Sequence, residues 1–372
     1  MKKHVYIVIL LASLCVGCSQ PSTSIELKGH TGKVTSVTFS PDDKKIVTGS
    51  VDGTARIWDT ESGQELQILE GHADWGLGVS VDFSPDGKKI GTWGREANTV
   101  QVWGAESGEK LHTLEGQTVH FSPDGKKIVT LNVVNGTFLI WDAESGKELQ
   151  KVSANAYSSF GGRSPDGKKI VMNSGNTTFI LDFESEKGQQ LEGRFVNFSS
   201  DSKKVATVSR DGTARIWDVE SGKELQKWEG QSANLSPDGQ KVAIGSGDGI
   251  IRIWDVVSGK ELHKLEGMTG IFLSDGKKIV TADLDHPTRI FDAESGKELR
   301  QLKGKMMPIF SPDGKKMITL DMANKDVVTQ RVWDVESGKV QKLEGIFVAF
   351  SSDGKKFATI NDDNTVRIWA LE

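Results

Sequence analysis

Cysteine is almost missing from this chain. Its 372 residues include two, Cys15 and Cys18, both among the first twenty, so the body has no thiol nucleophile, disulfide framework or cysteine metal site. Charge of one sign is concentrated nowhere. The formal net charge is −5, and the 46 lysines and arginines are scattered. No basic stripe is present to release counterions from nucleic acid, and no acidic block marks a disordered tail. No segment repeats its apolar residues with a 3.6-residue period, which leaves almost no room for helix. The signatures of common active sites are absent as well: no Gly-x-Ser-x-Gly elbow, phosphate-binding loop, His-Glu-x-x-His or calcium loop occurs.

What is present begins with a targeting segment. Lys2 and Lys3 give a positive start, and the apolar run Val5–Val16 is too short to span a bilayer comfortably. Residues 1–17 therefore read as a signal peptide. The stretch Leu14-Cys15-Val16-Gly17-Cys18 resembles the lipobox of bacterial lipoproteins, with Cys15 standing where leucine is usual. The resemblance implies cleavage before Cys18, acylation of Cys18, a tether over 18–23 and a location in the cell envelope. Ser19 after that cysteine points to the outer membrane. Acyl chains add about 0.8 kcal/mol per buried CH₂, so several on one cysteine hold firmly. Loss of Lys2 and Lys3 takes the formal charge from −5 to −7, which suits a body held by lipid rather than by charge.

The rest of the chain, 24–372, is repetitive. Ser-Pro-Asp-Gly-Lys-Lys, with variation, starts at Ser40, Ser84, Ser122, Ser164, Ser199, Ser236, Ser311 and Ser351, and a shortened copy lies at 273–276. Nine copies spaced about 39 residues apart signal a propeller, solenoid or array. In each copy an apolar run such as 34–39 meets this turn. Proline presets φ there and glycine accepts the positive φ that follows. A β-branched run follows (45–48), then an Asp-Gly turn, a strand ending in Trp-Asp (54–59), a Glu-Ser-Gly turn and a final strand (65–69). Each copy thus predicts four short strands.

The segments Thr-Ala-Arg-Ile-Trp-Asp (54–59, 213–218) and Ile-Arg-Ile-Trp-Asp (251–255), with Gly29-His30 and Gly71-His72, resemble WD40 repeats. The resemblance implies an all-β fold, a single closed β-propeller. The third strands end at Trp58, Trp103, Trp141, Leu181, Trp217, Trp254, Phe291, Trp333 and Trp369. The last repeat stops without a fourth strand, and residues 24–30 look like a fourth strand with no blade before it. Pairing the two gives nine blades. Eight is the alternative, with the eroded fourth repeat (154–183) looped out.

In WD40 proteins a His, a Ser/Thr, an Asp and a Trp form a hydrogen-bonded set. The first repeat supplies all four as His30, Thr48, Asp52 and Trp58. The second has His72, Thr92 and Trp103. The fifth, sixth and ninth retain Asp211 with Trp217, Asp248 with Trp254 and Asp363 with Trp369, while Trp141 and Trp333 mark two further repeats. These residues read as structural. His112 and His263 alternate with leucine and read as partly exposed polar positions. His120 lies on the innermost strand, and His286 sits in the only Asp/His cluster. No catalytic, metal-binding or cofactor-binding residue can be named.

The turns Ser-Pro-Asp-Gly-Lys-Lys and Glu-Ser-Gly-Lys share one face in the WD40 arrangement, and their uniformity predicts a monotonous polar surface. The other face varies. It offers Trp75, Arg95, Tyr157, Phe160, His286, Met306, Met307, and Met322 with Lys325 in the long loop 321–326. Loops on a rigid scaffold commonly carry function, and these residue types are enriched at binding hot spots. The expectation is a monomeric, non-catalytic platform that binds a protein partner. One rival is a ligand-binding or enzymatic propeller using the central channel or the His286 loop. Another is a recently duplicated array under little constraint.

Overall fold

The computed structural model describes residues 24–71, 78–94, 98–132, 136–153, 158–282, 287–302, 308–324 and 327–371. Among them there is no helix. Thirty-six strands form nine antiparallel four-stranded sheets. These are the nine blades of a propeller, numbered here in chain order, with strands a to d running outward from the axis. The predicted boundaries hold closely in blade 1, whose strands are Val34–Phe39, Lys45–Ser50, Ala55–Asp59 and Glu65–Leu69. The eroded fourth repeat is a full blade (Ser158–Arg163, Lys169–Ser174, Thr177–Asp182, Gly188–Glu192). The eight-bladed alternative is thereby excluded.

Closure follows the predicted route. Blade 9 takes strands a to c from Ile346–Phe350, Lys356–Ile360 and Val366–Ala370. Its strand d is the N-terminal Ser24–Leu27, with Ile25 opposite Ile368 and Leu27 opposite Val366. Leu27 is buried in a cluster that joins Val366 and Ile368 of blade 9 to Val34, Ile46 and Trp58 of blade 1.

The core is a series of layers between blades. One runs from Val47, Ile57 and Leu69 of blade 1 to Val79, Val81, Phe83 and Trp103 of blade 2. Another joins Phe138 and Ile140 of blade 3 to Met172, Phe179 and Leu181 of blade 4. Because a single sheet of this size has two apolar faces and no other cover, stacking side by side is what buries both. Approach is so close that a Cβ on Gly49 would overlap the carbonyl oxygen of Val79 in the next blade.

Two predicted loops are strands instead. Strands b and c of blade 8 run long, Lys316–Asn324 and Val327–Asp334, so 321–324 belong to an extended hairpin with Asp321 opposite Thr329 and Asn324 opposite Val327. The β-branched Val327-Val328-Thr329 favours that extension. Phe160 lies within strand a of blade 4 rather than in the preceding loop.

Candidate functional site

The repeated turns prove to be hydrogen-bonded units. In blade 1 the Ser40 hydroxyl donates to the Asp42 carboxylate (2.6 Å) and accepts the Lys45 backbone N–H (2.9 Å). The same pair closes at Ser84/Asp86, Ser122/Asp124 and Ser311/Asp313, among others. The hydroxyl bond from Ser40 holds the Asp42 carboxyl below its ordinary value. The Asp of Trp-Asp performs the matching task at the c–d turn, where Asp59 accepts the N–H and O–H of Ser62 (2.8 and 2.7 Å).

These turns also fasten blade to blade. Lys127 reaches forward to Glu186 (2.6 Å) and Lys89 to Glu144 (3.6 Å). His112 bonds the Glu144 carbonyl (3.1 Å), His263 the Glu294 carbonyl (2.7 Å), and Arg300 donates to the Glu336 carbonyl (2.8 Å). The two histidines read as partly exposed polar positions are that, and each also clamps the next blade. Near the axis, Asn197 pairs with both backbone groups of Leu235, at 3.0 and 2.8 Å. The face expected to be a plain polar surface is the fastening side of the ring.

The four-residue set is assembled in blade 1. The Trp58 indole N–H donates to Thr48 Oγ1 (2.8 Å), Thr48 Oγ1 lies 2.7 Å from His30 Nε2, and His30 Nδ1 lies 2.8 Å from Asp52 Oδ2. The direction is set by the Asp52 carboxylate, which only accepts: His30 donates to it from Nδ1, the neutral ring accepts from Thr48 at Nε2, and each proton points along the chain toward Asp52. Burial of Asp52 works against its charge. Bonds from Thr54 and His30 outweigh it and hold the carboxyl at about 2. Burial, opposed by the Asp52 bond, lowers His30. Thr48, His30 and Asp52 thus have the connectivity of a nucleophile–base–acid row. Thr48 is completely buried, and its oxygen already accepts the indole N–H, so no substrate carbonyl can reach it.

Elsewhere the set is reduced. Trp103, Trp141, Trp217, Trp333 and Trp369 each donate to a threonine: Thr92, Thr130, Thr207, Thr319 and Thr359, at 2.8–2.9 Å. In blades 3 and 5, which have no histidine in the set, the hydroxyl proton goes to a backbone carbonyl, from Thr130 to Glu115 (2.5 Å) and from Thr207 to Glu192 (2.7 Å). In blade 6 the threonine position holds Ile244, and the buried Trp254 N–H has no partner. Asp211 and Asp248, grouped with their tryptophans on sequence, bond the strand-c arginines Arg215 (3.4 Å) and Arg252 (2.8 Å) instead. Asp363 caps its own turn through Thr365 (2.6 Å). The strand-c arginines escaped sequence reading. Arg215 is buried among Glu192, Glu224 and Asp211 at 3.1–3.4 Å, and the recurring Arg two residues before Trp was the available signal.

Of the candidate partner residues, Phe160 is described and half-exposed, and Met322 lies within strand b of blade 8. Trp75, Arg95, Tyr157, His286, Met306, Met307 and Lys325 lie outside the described residues, as do His72 and Cys18. The varied face exposes Val51 in the b–c turn of blade 1, Met268 in the turn between blades 6 and 7, and Ile346 at the start of blade 9. Between blades 6 and 7 it opens into a cavity of about 320 Å³ lined by Ile250, Glu266, Thr281, Pro287 and Arg289, among others.

A second polar cluster faces the axis. The Arg163 guanidinium of blade 4 lies 3.3 Å from Asp82 of blade 2 and 3.5 Å from His120 Nδ1 of blade 3. Phe160 stacks on the His120 ring, with centroids 4.3 Å apart and planes 16° apart. Burial, and then the Arg163 charge, push His120 down to about 3. Burial raises Asp82, with Arg163 opposing. Among the described residues, no group of three His, Cys, Asp or Glu is placed to hold a metal ion.

Comparison with known proteins agrees with this architecture. The family described as "WD domain, G-beta repeat" matches residues 21–59, 63–103, 194–218, 223–255 and 342–370. Ribosome assembly protein 4 of Chaetomium thermophilum is 49% identical over 65 residues, 17% of this chain and 12% of that protein. A guanine nucleotide-binding protein subunit beta of Arabidopsis thaliana is 41% identical over 64 residues, 17% of each. The dynein assembly factor with WD repeat domains 1 of Danio rerio is 39% identical over 64 residues, 17% of this chain and 15% of that protein. These matches span less than a fifth of the relatives' length. The crystal structure of the C-terminal WD40 domain of Sif2 superposes with a TM-score of 0.60 at 17% identity, covering 96% of this chain and all of that one, which is a likeness of fold.

Proposed function

We propose that this WD40-repeat propeller is a non-catalytic platform that binds a protein partner through its varied face, held in a bacterial envelope by a lipid on Cys18. One observation carries the reading: the near-identical turns of one face are occupied in fastening the ring, while the opposite face exposes Val51, Met268 and Ile346 and, separately, opens into the cavity between blades 6 and 7. Half-exposed apolar side chains on loops of a rigid scaffold are what a partner buries. The sealed Thr48–His30–Asp52 row supports a role without catalysis, and relatives named for assembly or as a G-protein subunit support binding.

The test has two arms. Radiolabelled palmitate should enter the wild-type chain and not Cys18→Ser, which should also leave the membrane fraction. Affinity capture from detergent-solubilised envelopes should recover a stoichiometric partner that is lost on Met268→Asp and Val51→Asp and retained on Glu61→Lys on the opposite face. Capture that ignores Met268→Asp and Val51→Asp contradicts the assigned face, and label on Cys18→Ser contradicts the tether.

A further inference from the structure

The last residue of strand a is apolar in eight blades. Seven have phenylalanine and blade 6 has Leu235, each followed by the turn. Blade 4 alone has a charge there, Arg163, which leaves the layer between blades and turns toward the axis to meet His120 and Asp82. Its two partners, Asp82 and His120, stand where blade 1 has Thr38. That position varies along the chain, with Gly162, Asn197, Asn234, Ile271, Ile309 and Ala349 in the other blades, so the departure from a repeated pattern is Arg163, and its two partners come from the variable position beside it.

The cluster is not closed on itself. Arginine only donates, so His120 Nδ1 accepts from Arg163, and the neutral ring carries its proton on Nε2. That Nε2 is buried and has no acceptor, a state interiors rarely leave uncorrected. The imidazole lies beneath Phe160, which is 47% exposed, and the Arg163 and Asp82 side chains beside it are 25% and 32% exposed, so the aromatic ring and the ion pair are both partly open to solvent. A purely structural clamp, such as Asn197 on Leu235, has both its amide groups partnered. This cluster has a donor left over and an aromatic ring uncovered.

We propose that Asp82, His120, Phe160 and Arg163 form a binding site for a neutral polyhydroxylated ligand, a sugar ring. The formal charges of Asp82 and Arg163 cancel, so an anion meets the carboxylate and a cation meets the guanidinium. A hydroxyl suits both: it accepts from Arg163 and donates to Asp82. The C–H face of a pyranose covers the exposed phenyl ring. A mostly apolar wall with a few convergent polar groups is the usual composition of a small-molecule site.

The experiment is saturation-transfer NMR on the full chain in a sugar-free detergent. The probes are methyl glucoside, N-acetylglucosamine and its β-1,4 disaccharide, with acetate and N-methylacetamide as anionic and amide probes. Ring-proton signals are expected from at least one sugar, with at least a tenfold loss of affinity in Arg163→Phe and in Phe160→Ala. Arg163→Phe restores the residue of the other blades, so its denaturation midpoint should match or exceed that of wild type. Absence of sugar signals, sugar signals indifferent to Arg163→Phe, or Arg163-dependent binding of acetate or N-methylacetamide in place of sugars would each overturn the assignment. Partner capture on the varied face is a separate readout and is expected to survive Arg163→Phe.

Discussion

The carboxylate of Asp43 accepts the backbone N–H groups of Ser352 and Asp353, at 2.7 and 2.9 Å, across more than three hundred residues of sequence. Asp43 occupies the turn position that most copies give to glycine, and it keeps the same left-handed φ, 57°. Its side chain joins the first blade to the last, next to the pairing of the N-terminal strand. Ser202, the other substitute at this position, does likewise: its hydroxyl accepts the Asp166 N–H of the previous blade (3.1 Å). The two departures from glycine are therefore fasteners.

Asp43→Ala should destabilise the ring by about 2 kcal/mol, because it removes charged hydrogen bonds and leaves a Cβ residue at positive φ. Asp43→Gly relieves the φ and should cost about half as much, and Asp43→Asn less again. Urea midpoints at unchanged slope would show this order. Identical midpoints for all three would mean that the seam adds nothing.

The N-terminal strand should matter more. Leu27→Ala empties a fully enclosed site and should cost about 2–4 kcal/mol. Removing 24–28 leaves the outer edge of strand c of blade 9 unpaired from Val366 to Trp369. Guanidinium unfolding of the two variants, with hydrogen exchange at 366–370, would register the loss. A truncated chain that melts like the intact one contradicts closure by this strand.

Tryptophans that look alike in sequence should respond differently. Trp217→Phe breaks a buried bond to Thr207 and should cost about 1–2 kcal/mol. Trp254→Phe removes an N–H that has no partner and should cost less than about half of that. Paired denaturation curves decide the matter, and equal costs would mean that the indole bond carries no stability.

Acid should act through the buried imidazole. His120 is held at about 3, against 6.5 for an exposed ring. Between those values the unfolded chain binds a proton that the folded chain refuses. Stability from this residue is full above pH 6.5 and falls by about 1.4 kcal/mol per pH unit below it. Asp52, held at about 2 against 3.8, is lowered instead as a carboxyl. Its contribution is present above pH 4 and is lost as pH drops from 4 to 2. Urea midpoints from pH 7 to 4 should decline in the wild type and less steeply in His120→Gln. Parallel declines would remove His120 as the cause.

Much of the fold was legible because each turn uses residues whose backbone preferences are local. Pro41 and Asp42 announce a turn at 41–44, and Val34–Phe39 announces a strand, whatever surrounds them. The loop predicted at 321–326 became strand over 321–324 because pairing with Thr329 and Val327 is a two-strand property that Asp321 and Asn324 do not display alone. His112 and His263 are the partly exposed polar residues that the sequence suggested, but their partners, the carbonyls of Glu144 and Glu294, were not legible because they belong to the next blade. Asp248 looked like a partner of Trp254 because the family pattern places them close, whereas Arg252 competes for the carboxylate from within the same strand.

By itself the sequence determined the strand quartets and their order, since periodic apolar runs and turn residues act over a few positions each; nine blades closed by the N-terminal segment was what the family resemblance implied, with eight left open. Only the tertiary structure decided which blades touch and through which atoms. It turned the repeated turns into fasteners, left the Trp254 N–H without a partner, and brought Asp82, His120 and Arg163 from three blades to one place at the axis. Those outcomes depend on distances between residues tens or hundreds of positions apart, and burial sets their cost.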